Sequence, residues 1–351
     1  MPTENRRMLK LSIQNVLLSL YRIYLPLIYT STMKVIDLTK RPWQWAAIFI
    51  MAFIWGTSFI LMKRGLQSYS SFQVGALRIF FSFILLLPFM LRNYKKVNLL
   101  NIKSLLIIGF AGNFFPAFLF TTAQTQISSA LSGMLNSLTP FFTLLIGVFL
   151  YKRTASKMNI IGIVVGLIGA VSLILQGNGD FLSGNNWFGI FAVIATMLYG
   201  FSTNETKSLS GMNGVTIASL AFMFTGPVAG VYLLTSDFTQ ALQTPNHWEN
   251  LGYIFVLAAF SSVLAIIIFN EVIKHTTAIF ASSVTYIIPA FAILWGVFDG
   301  ETITFLHLLS ISVIMGGVYL VNLKRSDVNK ITFLLPILKI FGYNPDKNNQ
   351  K

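Results

Sequence analysis

The residues of this chain that are most informative about function are prolines and polar side chains that lie within or at the ends of long apolar runs. Pro140 and Pro289 are the first pair, because the segments around them align without a gap, 149 residues apart. A proline in a helix lacks the backbone donor, so it frees the carbonyl four residues earlier, here those of Asn136 and Thr285. A freed carbonyl in an apolar interior must find a partner. The pair therefore predicts two polar helix breaks that form one central site.

Eight side chains near these breaks or inside other apolar runs are candidates for contacting a bound solute. They are Trp55, Arg78, Asn113, Asn136, Tyr199, Ser282, Thr285 and Tyr286. Arg78 is a charged residue placed well inside a run, and it would bind a carboxylate through paired hydrogen bonds. The other interpretation is a structural anchor whose side chain reaches the nearer membrane surface. Trp55 and Tyr199 hold matching places, where their rings either line a cavity or pack between helices.

Two carboxylates, Glu205 and Glu271, each follow an asparagine at the end of an apolar run. A titratable carboxylate in such a place is a candidate for coupling proton movement to solute movement, and the alternative is a solvated helix end. The chain has no Cys, and its three His lie in or beside different loops, so we predict no metal site. It has no GxxxxGK[ST] motif, which argues against ATP hydrolysis within this chain, and we predict no cofactor.

The composition predicts an integral membrane protein. Of the 351 residues 55% are hydrophobic and only 10% are charged, whereas soluble domains carry about 25% charged residues. The net charge of +14 sits at the edges of apolar runs and in no RNA-binding motif, so we predict the lipid bilayer as a partner and no nucleic acid.

Ten runs approach the roughly 20 apolar residues that a spanning helix needs, which predicts an all-α fold of ten transmembrane helices. The runs are Trp45–Met62, Phe72–Leu91, Leu105–Ala123, Ser129–Leu150, Met158–Leu175, Trp187–Thr203, Val215–Leu234, Leu251–Asn270, Thr277–Phe298 and Phe305–Leu323. Lys and Arg concentrate in alternate loops, which predicts a multi-pass protein of the cell membrane with both termini in the cytoplasm. Lys63 and Arg64 are the exception, since they follow the first run on the outer side.

The matched prolines divide the chain into two halves of five helices. Because five is odd, the second half enters the membrane from the opposite face, which is an inverted repeat. We expect a first repeat over 43–177, a second repeat over 186–324 and a cytoplasmic tail over 325–351. Residues 1–42 are expected to form an extension that is either interfacial or untranslated, with Met33 as the start in the latter case.

Several motifs resemble the drug/metabolite transporter superfamily, specifically its EamA-like branch with two tandem domains. They are WGTSF at Trp55 to Phe59, ALRIFFSFILLLP, ISSALSGMLNSLTPFFTLLIGVFLYKR and HTTAIFASSVTYIIPAFAILWGVFDGE. The resemblance implies ten spans around a central cavity lined by both halves. It also implies a secondary transporter that exports a small metabolite, such as an amino acid, an organic acid or a toxic compound. Asp299 and Gly300 depart from the leucines that are usual before Glu301, and Lys152-Arg153 stand where an acidic residue is common.

Two other functions remain open at this point. A polytopic membrane enzyme would need clustered catalytic side chains facing one chamber, and we find no such cluster in the sequence, so we do not expect an enzyme. A channel or a solute sensor would show non-saturating flux, or binding without transport. We expect the functional unit to be a monomer, in which the glycines of the fifth span, Gly162 and Gly166, pack within one chain.

Overall fold

The structure is a computed structural model that describes residues 37–152, 157–175 and 185–322. The chain divides into two compact units, Met1–Ala47 and Ile48–Lys351. In the first unit the described residues form a turn, in which Asp37 accepts hydrogen bonds from Thr39, followed by the start of a helix. Residues 1–36 of the predicted extension and the whole of the predicted tail lie outside the described residues, as does most of the linker between the two predicted repeats.

Ten helical segments account for most of the described residues, and we number them in chain order. They are α1 Arg41–Gly65, α2 Ser71–Asn93, α3 Ile102–Ala123, α4 Ser129–Phe149, α5 Lys157–Leu175, α6 Gly189–Ser208, α7 Gly214–Thr235, α8 His247–His275, α9 Phe280–Phe298 and α10 Phe305–Asn322. A short helix, Thr239–Gln243, precedes α8. The described ranges contain no strand.

The prediction of an all-α membrane protein is confirmed. Seven of the described helices, α1 to α4 and α7 to α9, are long and apolar enough to cross a bilayer. A helix lies over each of the ten predicted runs, and several extend beyond them; α8 begins at His247 rather than Leu251 because its first turn is polar. The count of ten spans stays a prediction, since α5, α6 and α10 are not among these seven helices.

The helix breaks have identifiable local causes. A 3₁₀ turn, Asn136–Leu138, precedes Pro140 in α4, and another, Ser283–Tyr286, precedes Pro289 in α9. In α4 the backbone carbonyl of Asn136 accepts the hydroxyl of Thr139 at 2.8 Å. The carbonyl that the proline frees thus finds a partner one turn later, as a buried carbonyl must. α3 and α8 instead contain π-helical stretches, Phe110–Phe114 and Leu257–Leu264.

Glycines set the closest helix contacts, and the same contact occurs twice. A Cβ added to Gly56 in α1 would lie 2.4 Å from the Cβ of Phe291 in α9. A Cβ added to Gly200 in α6 would lie 2.8 Å from the carbonyl carbon of Phe142 in α4. Because Phe142 and Phe291 are themselves 149 residues apart, α6 packs on α4 as α1 packs on α9. Only glycine permits such close approach of two backbones.

α5 and α10 form a separate pair. A Cβ on Gly317 would meet the carbonyl of Gly162 at 2.6 Å and the amide of Gly166 at 2.4 Å. The small residues of α5 therefore pack against α10 of the same chain. This contact agrees with the expectation that these glycines serve packing within one chain.

Candidate solute-binding cavity

A cavity of about 90 Å³ lies among α1, α2, α3, α4, α6, α8 and α9. Its volume exceeds the roughly 10–15 Å³ that a cavity needs to hold a water molecule. Seven of the eight predicted solute contacts line it. They are Trp55, Arg78, Asn113, Asn136, Tyr199, Ser282 and Thr285. Tyr286 is not among the described residues that line it, although it follows Thr285 directly, because neighbouring residues of a helical turn face different directions.

Arg78 reaches the cavity from α2. Its Nε donates a hydrogen bond of 2.6 Å to the hydroxyl of Ser262 in α8, and one terminal nitrogen lies 3.9 Å from the sulfur of Met62. The hydroxyl of Tyr199 lies beside the guanidinium. Arg78 is buried, with 8% of its surface exposed. The side chain thus points into the cavity and not along the helix toward a membrane surface.

The charge of the cavity comes from Arg78. No other lining residue in the described ranges is ionisable to a full charge at neutral pH, and Arg78 forms no ion pair with a described carboxylate. A buried cation without a counter-ion is costly. Nε is bound to Ser262, and the terminal nitrogens lie beside the neutral groups of Met62 and Tyr199, where they could also receive an anion end-on. A guanidinium in that position favours a planar carboxylate, to which it can donate two parallel hydrogen bonds.

Aromatic rings form much of the cavity wall. Trp55 donates its indole N–H to the carbonyl of Ser261 at 3.0 Å, and its ring meets Phe269 edge to face at 5.3 Å. Phe120 stacks on Tyr199 with ring centres 5.9 Å apart. Because the polar edge of Trp55 is bound to the backbone of α8, the indole offers the cavity an apolar surface. Such a wall accepts an apolar or flat part of a solute.

Several of the other polar groups in the lining belong to the helix breaks. Asn113 donates its amide to the carbonyl of Ile108 at 2.9 Å, across the π-helical stretch of α3. Thr285 donates its hydroxyl to the carbonyl of Ser282 at 2.9 Å. Pro140 is buried in α4 and Pro289 in α9, next to these turns. Both predicted breaks therefore border the same cavity, from α4 on one side and α9 on the other.

The two coupling candidates lie away from the cavity lining. Glu205 is buried and accepts hydrogen bonds from the hydroxyls of Tyr151 at 2.5 Å and Ser104 at 3.1 Å. Glu271 accepts the backbone N–H of Gly214 at 2.6 Å at the start of α7. Glu205 is therefore not a solvated carboxylate at a helix end, because it is buried and bound by two hydroxyl groups of the protein.

Sequence reasoning missed several cavity residues, above all Ser262 and Phe269 of α8. Ser262 is the direct partner of Arg78. The signal for it in the sequence is the Ser261-Ser262 pair in the middle of an otherwise apolar run. Within the described ranges no group of three or more metal-binding side chains comes together.

Comparison with known proteins identifies the family. The model of the EamA-like transporter family matches residues 42–175 and again residues 186–323. The uncharacterized inner membrane transporter YedA of Escherichia coli strain K12 is 27% identical over 283 residues, covering 80% of this chain and 90% of YedA. The uncharacterized transporter YetK of Bacillus subtilis strain 168 is 25% identical over 322 residues, covering 88% of this chain and 95% of YetK.

Two more distant similarities complete the comparison. The S-adenosylmethionine/S-adenosylhomocysteine transporter of Chlamydia muridarum is 20% identical over 270 residues, covering 74% of this chain and 85% of that protein. A protein crystal structure aligns with a TM-score of 0.59 at 15% identity, covering 81% of this chain and 97% of that one, which supports the fold. The protein is a multi-pass membrane transporter, and it belongs to the EamA-like transporter family of the drug/metabolite transporter superfamily.

Proposed function

We propose that the protein is a secondary transporter that moves a small carboxylate-bearing solute across the cell membrane by alternating access. The observation that carries the proposal is the buried Arg78, which lines a largely aromatic cavity without a described counter-ion. A solute that brings its own carboxylate would neutralise this charge. Amino acids and organic acids are the classes that fit, and the family resemblance implies movement outward.

The scaffold in this proposal has ten spans in two inverted repeats, 43–177 and 186–324, with both termini in the cytoplasm. The recurrence of the Gly56–Phe291 contact as Gly200–Phe142 supports it. The two repeats supply α1 to α4 and α6, α8 and α9 to the cavity, so a rocking motion of one repeat against the other would move the walls around a fixed site.

The present shape fits one stage of such a cycle. Ligand pockets usually measure about 300–1,000 Å³, and the cavity is smaller than that. The first half of α4 packs extensively on the second half of α9, whereas the second half of α4 meets the first half of α9 over a smaller contact. In this proposal the closely packed end, where α4 begins and α9 ends, is the closed mouth of the cavity, and the helices would have to part there for a solute to pass.

The chlamydial relative offers a chemical parallel. S-adenosylmethionine and S-adenosylhomocysteine each carry an amino-acid carboxylate and a flat aromatic base. In the present chain Arg78 would receive the carboxylate, and the rings of Trp55 and Tyr199 would contact the rest of such a solute. At 20% identity the parallel supports a class of solute, and it does not choose the compound.

For coupling, Glu205 is the better of the two candidates. It joins α6 to Ser104 of α3 and to Tyr151 after α4, with hydroxyl groups as its described partners. Protonation would weaken both hydrogen bonds, because a neutral carboxyl is a poorer acceptor. Glu271 lies near Lys274 and His275, at 3.9 Å and 3.8 Å, and serves better as a fixed link to α7.

The test compares Arg78→Gln with Lys95→Gln, which removes an equal charge from an exposed helix end. Metabolites inside and outside cells that overproduce each variant are profiled by mass spectrometry. We expect the levels of carboxylate-bearing compounds inside and outside cells to change when the parent or Lys95→Gln is overproduced. With Arg78→Gln that change should be at least about tenfold smaller.

An unchanged profile for well-expressed Arg78→Gln would remove the carboxylate contact. A chemically altered product made by purified protein would favour the membrane enzyme over the transporter. Flux that does not saturate with solute concentration would favour a channel.

A further inference from the structure

Four charged side chains meet where α1 ends and α9 ends. Lys63 lies 2.7 Å from a carboxylate oxygen of Asp299 and 2.8 Å from one of Glu301. Arg64 pairs with Asp299 as well. The two carboxylates are only 10% and 6% exposed, whereas the two cations are about one third exposed. The group is therefore partly buried, with the acids beneath the bases.

Glu301 also binds the start of α4. One carboxylate oxygen accepts the backbone N–H of Ser129 at 3.0 Å and its hydroxyl at 2.7 Å, and the other accepts the N–H of Ala130 at 2.9 Å. Burial alone would raise the pKa of Glu301, but the hydrogen bonds from Lys63, Ser129 and Ala130 hold the pKa below its usual value. One side chain thus joins the segment after α9 to both α1 and α4.

The helices beneath these charges are closely packed by small residues. A Cβ on Gly133 of α4 would lie 2.3 Å from the Cβ of Ala292 in α9. A Cβ on Gly296 of α9 would lie 2.9 Å from the Cβ of Ala130 and 2.7 Å from Glu301. One to three turns further along the same helices, Ser58, Asn136 and Thr285 line the cavity. The charged group therefore covers the tightly closed mouth.

We propose that Lys63, Arg64, Asp299 and Glu301 form a latch that keeps this mouth of the cavity closed and that must part before solute can pass. The proposal rests on the transporter function proposed above. The latch joins α1 and α4 of one half to the end of α9 in the other half. Rocking the two halves apart at this end would separate the oppositely charged groups, so the ion pairs stabilise the closed state relative to the open one.

The absence of Cys from the sequence makes a direct test simple. Ser58→Cys introduces a single thiol in the cavity lining on α1. A membrane-impermeant maleimide is applied to right-side-out and to inside-out vesicles, and the rate of labelling from each side is measured. In this background Glu301→Gln and Lys63→Met each weaken the latch. Glu249→Gln is the matched control, because Glu249 accepts an exposed hydrogen bond from Tyr253 and has no described ion pair.

We expect both latch variants to raise labelling about three- to tenfold from one side of the membrane only, and the control to leave the rate unchanged. Thermal melting of the purified proteins checks that each variant is folded. Lys63→Met leaves the hydrogen bonds of Glu301 to α4 in place, so this variant provides the test if Glu301→Gln does not fold. Rates equal to the parent in a folded latch variant would overturn the proposal, as would equal increases from both sides.

This assay separates the latch from the solute proposal, because it requires no solute. Arg78→Gln in the Ser58→Cys background should keep the parental labelling rate while losing transport. If transport is independent of Arg78 but labelling responds to the latch variants, the carboxylate proposal fails and the latch stands. If transport depends on Arg78 but the labelling rate is the same in the latch variants as in the parent, the latch proposal fails and the carboxylate proposal stands.

Discussion

The two ends of the helix bundle use different chemistry to hold neighbouring helices together. At the latch end, Lys63 meets two buried carboxylates. At the other end Lys207, which corresponds to Lys63 when Trp55 is aligned with Tyr199, donates instead to the carbonyls of Ile273 at 2.8 Å, Lys274 at 3.3 Å and Thr276 at 2.6 Å.

The carboxylate positions differ in the same way. Lys152 stands 149 residues before Glu301, so the latch acid corresponds to a base at the other end. Two carboxylates lie at that end: Glu205, which accepts hydrogen bonds from the hydroxyls of Tyr151 and Ser104, and Glu271, which accepts the N–H of Gly214 and lies 3.9 Å from Lys274. The ionic contacts of Glu271, at 3.8 and 3.9 Å, are longer than those of Lys63, at 2.7 and 2.8 Å, and closer opposite charges attract more strongly. The comparison indicates that the latch end resists opening more strongly than the Glu205 end.

The largest loss of stability at the latch end should come from a larger side chain placed between the helices beneath the latch. Gly133→Val places branched carbons where even a single Cβ would lie 2.3 Å from Ala292. We expect a loss of about 1–3 kcal/mol in stability from this overpacking, together with faster labelling of Ser58→Cys from the latch side. Gly252→Val, in open space on α8, is the control. Equal melting temperatures for the two variants would contradict the close packing.

The next effect should come from removing charge in the latch. Because the pKa of Glu301 is lowered in the folded protein, its stabilising contribution is complete above the unfolded-state value and is lost as pH falls through the folded value. Glu301→Gln should therefore melt below the parent at neutral pH, by the equivalent of about 2 kcal/mol, because several charge-assisted hydrogen bonds are weakened together. The difference in melting temperature between the two proteins should disappear only at acid pH, below about 4. A gap that disappears between pH 8 and 6 would show that another group is responsible.

A smaller effect is expected at the other end. Tyr151→Phe removes the hydroxyl that lies 2.5 Å from Glu205, which should cost about 1 kcal/mol or somewhat more because the acceptor is charged. Tyr253→Phe removes a similar bond to Glu249 in an exposed position and should cost little. Comparable melting temperatures for these two variants would mean that Glu205 is better hydrated than its burial indicates.

Sequence reasoning found the breaks because their causes are local. A proline acts on its own helix, so the polar turns before Pro140 and Pro289 follow from the residue type alone. Arg78 was found because a charge inside an apolar run has few explanations. Seven of the eight candidates then met in one cavity, since the duplicated pattern already linked the two halves.

The partners of these residues were not predictable in the same way. Ser262 is 184 residues from Arg78, and nothing in its own neighbourhood indicates which side chain it will meet. The ion pairs of the latch were not predicted for a similar reason. Lys63 and Arg64 stood out only as an exception to the charge pattern, and Glu301 lies more than 230 residues later. The ion pairs explain why those bases occur at that end.

One measurement tests the central claim most directly, which is that the cavity binds a carboxylate through Arg78. Thr285→Cys provides a single thiol in the cavity lining, and its alkylation is followed with amino acids, S-adenosylmethionine or their methyl esters present. The account predicts that at least one carboxylate compound slows alkylation, that its ester does not, and that Arg78→Gln abolishes the protection. Protection by esters as strong as by acids, or protection that survives in Arg78→Gln, would contradict it.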